Sequence, residues 1–405
     1  MRNSNCKADT LLAQLTKGLL RHSVHETATQ LGDRSQYVGL SDIGKGVECM
    51  RAAVAGKLGL GQRATEQSVL DWFRQDEFDQ IYAALKKQLV LQRGHWLEFG
   101  IANALQANGT NMLCQLEIAT QHKGVPIKAH LDFALVWGWP QPAVRILELK
   151  STERIPESLY TAYETQLYGQ LGFLVECWNQ QVFSMRDEHG VIVFEKLTFP
   201  QAVKRVFGFS FPEKPSSVDV EGWVLCLAMS EAKAFGPYRP SDVMLKAVKN
   251  TAESIWNGIA VVRNGTSDLN EFSYSKGFHP LCDYCDHSDS CPKFEGEVLT
   301  DTAYDDELTL VAVLKDEKRD LEDRISKKEK RIKTFYAQQS RGSGWLKTAH
   351  YRFKSTRQEG RKMVDMTKLE FALINEVGEQ RAQELLVAAA KYGQPFERLH
   401  IAKIQ

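Results

Sequence analysis

HLDFALVWGWPQPAVRILELKST, residues 130–152, alternates apolar and polar side chains on either side of a Gly-Trp-Pro-Gln-Pro turn. The pattern predicts two β-strands joined as a hairpin. Asp132 falls on the first strand, and Glu148 and Lys150 fall on the second with Leu149 between them. Successive strand side chains point to opposite faces, so Glu148 and Lys150 share a face while Leu149 turns into the core, and a hairpin register brings Asp132 beside them. Two neighbouring carboxylates repel, and burying them unpaired is costly; a hard divalent cation, Mg²⁺ or Mn²⁺, resolves the conflict. Such a metal can polarise a phosphodiester and acidify a bound water, with Lys150 orienting that water or neutralising developing charge. An isolated Glu-x-Lys is more simply a weak surface ion pair, so the surrounding sequence must decide.

Asp132-Phe133 followed after 16 positions by Glu148 in Ile-Leu-Glu-Leu-Lys resembles the core motif of the PD-(D/E)XK nucleases. Upstream, RGHWLEFG (93–100) resembles the first-helix motif of that superfamily. His95 matches the metal-binding His of RecB-like enzymes, while Gly94 and Glu98 match the G-x-x-x-E of phage exonucleases of the λ-exonuclease (YqaJ) type. His95 and Glu98, three apart, share a helix face and can point at one site. Downstream, YETQLYGQLGF (163–173) resembles the helix after the core, with Gln166 and Gln170 where RecB-like enzymes have Q-x-x-x-Y. Gln166 is then expected to contact the Lys, a metal-bound water or DNA, and Tyr163 and Tyr168 to pack or stack. The resemblance covers about residues 38–294. It implies an α/β (α+β), restriction-endonuclease-like fold, a mixed central sheet flanked by helices, with Asp132, Glu148 and His95 as metal ligands and Lys150, Glu98 and Gln166 completing the catalytic set.

Outside the hairpin, residues 9–22 read as an amphipathic helix, and Ser41 can N-cap another running through Cys49 to about Lys57. A helical stretch over 69–92 leads into RGHWLEFG. From Met112 the texture becomes short and β-rich, an antiparallel meander. Three parts are expected: an N-terminal helical segment (1–37), the nuclease domain (38–294), and a charged appendage (295–405) of coiled-coil-like helical hairpin with a small β-hairpin.

CDYCDHSDSC (282–291) concentrates Cys282, Cys285 and Cys291 in ten residues. Three thiolates are one short of a tetrahedral site. His279 or His287 would complete a zinc knuckle, and a remote cysteine would complete a four-thiolate site for zinc or an iron-sulfur cluster. SDIGKGVECMRAAVAGKLGL (41–60) resembles the segment before the core in iron-sulfur members of the superfamily, the AddB-type and CRISPR-associated nucleases, although Met50 stands where those enzymes commonly have Pro. That resemblance implies that Cys49 joins Cys282, Cys285 and Cys291 around a structural 4Fe-4S cluster, with Zn²⁺ as the lesser alternative. Cys114, Cys177 and Cys226 lie in apolar contexts where a thiol is a small hydrophobe, and Cys6 lies in the N-terminal tail.

Composition adds a local argument. The chain has 51 basic and 51 acidic residues, yet residues 315–362 hold 16 Lys and Arg against 7 Asp and Glu, a local excess of +9. Such a field attracts phosphate backbones, and Trp345, His350, Tyr351 and Phe353 interleave with Lys347, Arg352, Lys354 and Arg357 as candidate nucleic-acid contacts. No run of ~18 apolar residues predicts a membrane span, so a cytoplasmic protein is expected. No Walker A motif is visible, so ATP-driven unwinding would come from a partner. The reading is a metal-dependent DNA exonuclease for recombination, repair or CRISPR adaptation. DNA is its expected partner, alongside a helicase, an annealing protein or a CRISPR integration complex, and homo-oligomers are compatible with it. Two rivals stand beside it: a non-catalytic iron-sulfur or zinc DNA-binding subunit, and a zinc-stabilised scaffold whose coiled helix recruits proteins.

Overall fold

The computed structural model describes residues 6–61, 64–187, 189–276, 282, 285–288, 290–296, 303–339, 344–356, 373, 377 and 379–389. Contacts divide the chain into two units, with the boundary between Glu295 and Gly296.

The first unit is a mixed α/β body. Its sheet has eight strands, in the order β6-β5-β2-β3-β4-β7-β8 with β1 joined to β3. The strands are β1 (Val38–Gly39), β2 (Met112–His122), β3 (Val125–Trp137), β4 (Ala143–Ser151), β5 (Phe183–Arg186), β6 (Ile192–Leu197), β7 (Asp219–Leu227) and β8 (Ala232–Tyr238). The meander expected from Met112 holds for β2, β3 and β4, which pair antiparallel. It ends where β7 joins β4 in parallel, a pairing that needs a long crossover. That crossover contains α6 (Thr161–Glu176) and α7 (Phe199–Phe207).

The remaining helices of this unit are α1 (Cys6–Leu31), α2 (Leu40–Glu48), α3 (Met50–Leu58), α4 (Glu66–Arg74), α5 (Phe78–Ala107) and α8 (Asp242–Arg263). The helix expected from Ser41 through Cys49 starts instead at Leu40 and breaks at Cys49, whose extended backbone (φ −155°, ψ 94°) ends α2 and begins α3. Close helix packing needs glycine: a Cβ on Gly44 of α2 would stand 2.7 Å from the Ala162 carbonyl oxygen of α6.

Two apolar cores lie on the sheet. The larger takes Ile127, Ala129 and Leu131 of β3, then Ala134 and Val136, together with Leu167 and Leu171 of α6. The smaller takes Phe133, Leu149 and Leu227, with Leu97 and Ile101 of α5 against them. Strand alternation should keep one parity on one face. In β3 the parity of the large core switches between Leu131 and Ala134, and in β2 it switches between Leu113 and Leu116. The register pairs Cys114 with Phe133 and Leu116 with Leu131, so Gln115 stands across from Asp132 at the switch. Gln115 has φ +50°, a left-handed backbone that a non-glycine residue rarely adopts. Local strain of this kind is common where a side chain must be aimed for function.

The second unit contains α9 (Ala303–Gln339), the hairpin of β9 (Leu346–Lys347) and β10 (Arg352–Phe353), and α10 (Glu379–Ala389). The small hairpin matches the alternation seen in the sequence. Tyr336 of α9 is buried and donates its hydroxyl to the Gly344 carbonyl at 2.6 Å, with its ring edge-on to Phe353. Leu314, Leu321, Ile325, Ile332 and Phe335 of α9 recur at three-, four- and seven-residue spacings and are about half exposed. Among the described residues, no helix is long and apolar enough to cross a membrane.

Candidate active site and cysteine loop

The sheet forks at Asp132. β4 leaves β3 after the Phe133–Leu147 pair, and β1 takes the same edge of β3 at Ile127 and Lys128. Between those pairings no strand among the described residues lies along the edge of β3, and side chains fill it. Asp132 Oδ2 accepts from the Leu149 backbone N–H at 2.8 Å. Gln170, fully buried on α6, donates its amide to the His130 carbonyl at 2.8 Å and to Glu148 Oε2. Each group therefore satisfies backbone or carboxylate that the missing ladder leaves over.

Glu148 is buried, and Lys150 Nζ reaches its Oε1 at 2.6 Å. Gln166 joins the two, donating to Glu148 Oε1 at 2.7 Å and accepting from Lys150 Nζ at 3.0 Å. The Lys150 ammonium also lies 5.1 Å from the centre of the Tyr163 ring. Asp132, Glu148, Lys150 and Gln166 are thus brought together, three of them through direct hydrogen bonds.

Glu98 comes to this group from α5, where it accepts a hydrogen bond from Gln115. Its pKa is raised, first by burial and then by Glu148 and Glu26, against the Gln115 hydrogen bond and His95. The Asp132 carboxyl is held well above the ordinary carboxylate range by burial, with Glu148 and Glu98 adding. Burial alone would lower the Lys150 pKa, but Glu148 and Asp132 outweigh it and the net shift is upward. Three carboxyl groups that repel one another when ionised stand against one ammonium, and among the described residues no donor reaches Asp132 Oδ1. That donor set fits a hard divalent cation. Among the described residues, no three His, Cys, Asp or Glu side chains already stand as a ready-made metal cage.

His95 is not gathered in. Its side chain is 54% exposed and its Nδ1 lies 3.8 Å from Glu26 Oε1 on α1, so it touches the carboxylate group only electrostatically, through Glu98. Sequence reasoning missed three contributors. Glu26 lay outside the resembling segment, Gln115 depends on a backbone conformation with no residue signature, and the Gln170 bridge was seen as a pattern without a role. His130 beside them is pushed down to about 4 by burial, and its Nε2 has no hydrogen-bond partner among the described residues.

The segment that carries Cys49 and the loop that carries Cys282, Cys285 and Cys291 are brought together by Arg51, although the four thiols do not stand as a ready-made metal cage. The Cys285 thiol is raised by burial first, and Cys49 and Cys282 add to the shift, which puts both within electrostatic reach. Arg51, 2% exposed, pins the loop: its guanidinium donates to the His287 carbonyl at 3.0 Å, the Ser290 carbonyl at 2.7 Å and Asn270 at 3.0 Å. Lys293 Nζ lies 3.2 Å from Cys282 Sγ. His279 lies outside the described residues, and the His287 ring packs at Gly61, where an added Cβ would stand 2.8 Å from its Cε1.

In the second unit, Lys347 and Arg352 lie directly opposite each other in the β9–β10 hairpin, and the Arg352 guanidinium lies 5.9 Å from the Trp345 ring. Lys354 follows β10, and Arg357 lies outside the described residues.

No protein-family model matches this chain, and no curated protein matches it. Among solved structures, the protein named SSO0001 is similar at 14% identity and a TM-score of 0.37, covering 70% of this chain and 98% of its own. A protein from Eubacterium rectale described as a candidate exonuclease is similar at 11% identity and a TM-score of 0.29, covering 65% of this chain and 91% of its own.

Proposed function

We propose that the chain is a metal-dependent deoxyribonuclease of the PD-(D/E)XK type, an exonuclease that processes DNA ends in recombination, repair or CRISPR adaptation. The observation that carries this reading is the fork, where Asp132, Glu148, Lys150 and Gln166 gather at one break in the sheet. Asp132 and Glu148, with Glu98 beside them, would hold Mg²⁺ or Mn²⁺. The cation, when bound, supplies Lewis acidity toward a phosphodiester oxygen and a more acidic water. Lys150 has the charge and reach to orient an attacking water and to offset negative charge as it develops. Gln166 fixes Lys150 against Glu148, so the ammonium is aimed before substrate arrives. His95 would join the metal ligands by a rotation away from Glu26.

The test is a time course on end-labelled single- and double-stranded DNA with Mg²⁺, Mn²⁺ or EDTA, alongside Lys150→Ala. Metal-dependent degradation lost in the variant supports the reading; equal degradation by the variant sinks it. One observation favours a second reading, a DNA-binding subunit without catalysis: both oxygens of Glu148 are already held by Lys150, Gln166 and Gln170. DNA binding with no metal-dependent cleavage in the same assay would select it.

The four cysteines Cys49, Cys282, Cys285 and Cys291 would hold a structural 4Fe-4S cluster, or Zn²⁺ in its place. The influence of Cys49 and Cys282 on the Cys285 thiol, and the Arg51 bonds that hold the Cys49 segment to the loop, support this donor set. Iron, sulfide and zinc analysis of anaerobically purified protein separates the two. A helicase, an annealing protein or a CRISPR integration complex would supply unwinding or targeting, and the second unit's Lys347, Arg352 and Lys354 would contact DNA.

A further inference from the structure

Arg93 belongs to the same RGHWLEFG stretch as His95 and Glu98, yet the chemistry above leaves it without a task. It is half-buried on α5, and its Nε donates to Ser151 Oγ at 2.6 Å. Among the described residues no other hydrogen bond or ion pair engages this guanidinium, so both terminal nitrogens are left over. Fastening α5 to β4 through a serine hydroxyl needs a neutral donor and no more. A permanently charged fork, half withdrawn from water and held by one edge, is suited to grip two oxygens of an incoming anion.

Ser151 directly follows Lys150, and the two must point to opposite sides of β4. Leu149, of the same parity as Ser151, packs with Leu97 and Ile101 of α5, whereas Glu148 bonds to Gln166 and Gln170 of α6. Arg93 therefore stands beside the carboxylate group, on the α5 side, and not within it. α5 also sends Glu98 to that group, so an anion held by Arg93 would lie along the same helix from the one being attacked. We propose that Arg93 clamps a backbone phosphate next to the scissile one, so that the substrate is a continuous nucleic-acid strand and not a mononucleotide or a simple phosphate ester. The proposal rests on the nuclease reading for the scissile position.

The experiment measures binding of a labelled single-stranded oligonucleotide by anisotropy in EDTA, which stops cleavage, over a salt series. Each phosphate neutralised contributes about 0.7 to the slope of log affinity against log salt for a single strand. Arg93→Ala is expected to weaken binding about tenfold or more and to lower that slope by about 0.7. Arg93→Lys keeps the charge and the slope but binds less tightly, because the fork is lost. Ser151→Ala keeps the slope with a smaller loss. Should Arg93→Ala fold poorly, Arg93→Gln, of similar length and without charge, carries the same slope test. A wild-type slope in the uncharged variants, whether affinity holds or falls together with that of Ser151→Ala, overturns the clamp. A lowered slope in a protein that cuts nothing with Mg²⁺ keeps the clamp and sinks the nuclease. Cleavage with an unchanged slope in Arg93→Ala sinks the clamp alone.

Discussion

Asp132 has two tasks at one atom pair: Oδ2 closes the backbone gap at Leu149, while the carboxyl faces Glu148 and Glu98. Its raised folded-state pKa means that, without metal, the native protein keeps a proton that the unfolded chain releases. The unfolded state then binds fewer protons, and stability falls as pH rises. In EDTA the contribution is present below the ordinary carboxylate range and is lost as pH climbs through the raised folded value. Asp132→Asn, which keeps an oxygen for the Leu149 N–H, should flatten this loss in thermal melts taken across pH. An unchanged pH dependence would show that the carboxyl is not under the stress described. Under Mg²⁺, Asp132→Asn and Lys150→Ala should each cut DNA hydrolysis by about 100- to 1,000-fold, the scale of removing one charge-stabilising group. A loss below tenfold in both would place the chemistry elsewhere.

At the scale of the element, α6 presents Gln166 and Gln170 one helical turn apart, and its height above the sheet is set by α2. Gly44→Ala pushes a methyl into the Ala162 carbonyl, a backbone atom that cannot swing aside. We expect a cost of about 1–3 kcal/mol and a lower Tm. Because Gln166 rides on the same helix, residual DNA cleavage should drop more than stability alone accounts for. Wild-type Tm and rate in the Gly44→Ala protein would show that α6 is not held from this side.

The hairpin was legible because Asp132, Glu148 and Lys150 obey a two-residue period that strands impose. What escaped was conformational. Nothing in the identity of Gln115 announces a left-handed φ in mid-strand, and Cys49 breaks a run that reads as continuous helix from Ser41 to Lys57. The parallel join of β4 and β7 was hidden as well, since it pairs residues 76 apart in sequence and leaves no local trace. His95 is the opposite case, a motif position whose side chain rests on Glu26 from a helix the motif does not include.

At the scale of the whole molecule, the cysteine loop ties the beginning of the first unit to its end. On the proposed four-cysteine site, replacing Cys49 by Ser should release as much metal as replacing Cys285, and each should cost more than about 2 kcal/mol, because a metal bound there would cross-link the fold. Full metal content in the Cys49→Ser protein would remove it from the ligand set. The second unit is separable in kind, a charged helix with a hairpin. Charge reversal at Lys347 and Arg352 should weaken DNA binding in a salt-dependent way while leaving the melting of the first unit unchanged. Wild-type binding by that protein would remove the hairpin from the interface.

Arg51 reaches the Ser290 carbonyl across 239 positions of chain. On a ribosome moving at about 5–20 residues per second, roughly 10–50 s separate the birth of the two partners. Throughout that interval the terminal nitrogens of Arg51 lack the His287 and Ser290 carbonyls, with Asn270 alone to accept from its Nε once it is made, while β3, β4 and α6 are already in place. A nascent chain halted before residue 282 is expected to carry Asp132, Glu148, Lys150 and Gln166 and still be cut rapidly by protease, so arrival of the cysteine loop, and not assembly of the carboxylates, becomes the event that commits the first unit to its native state.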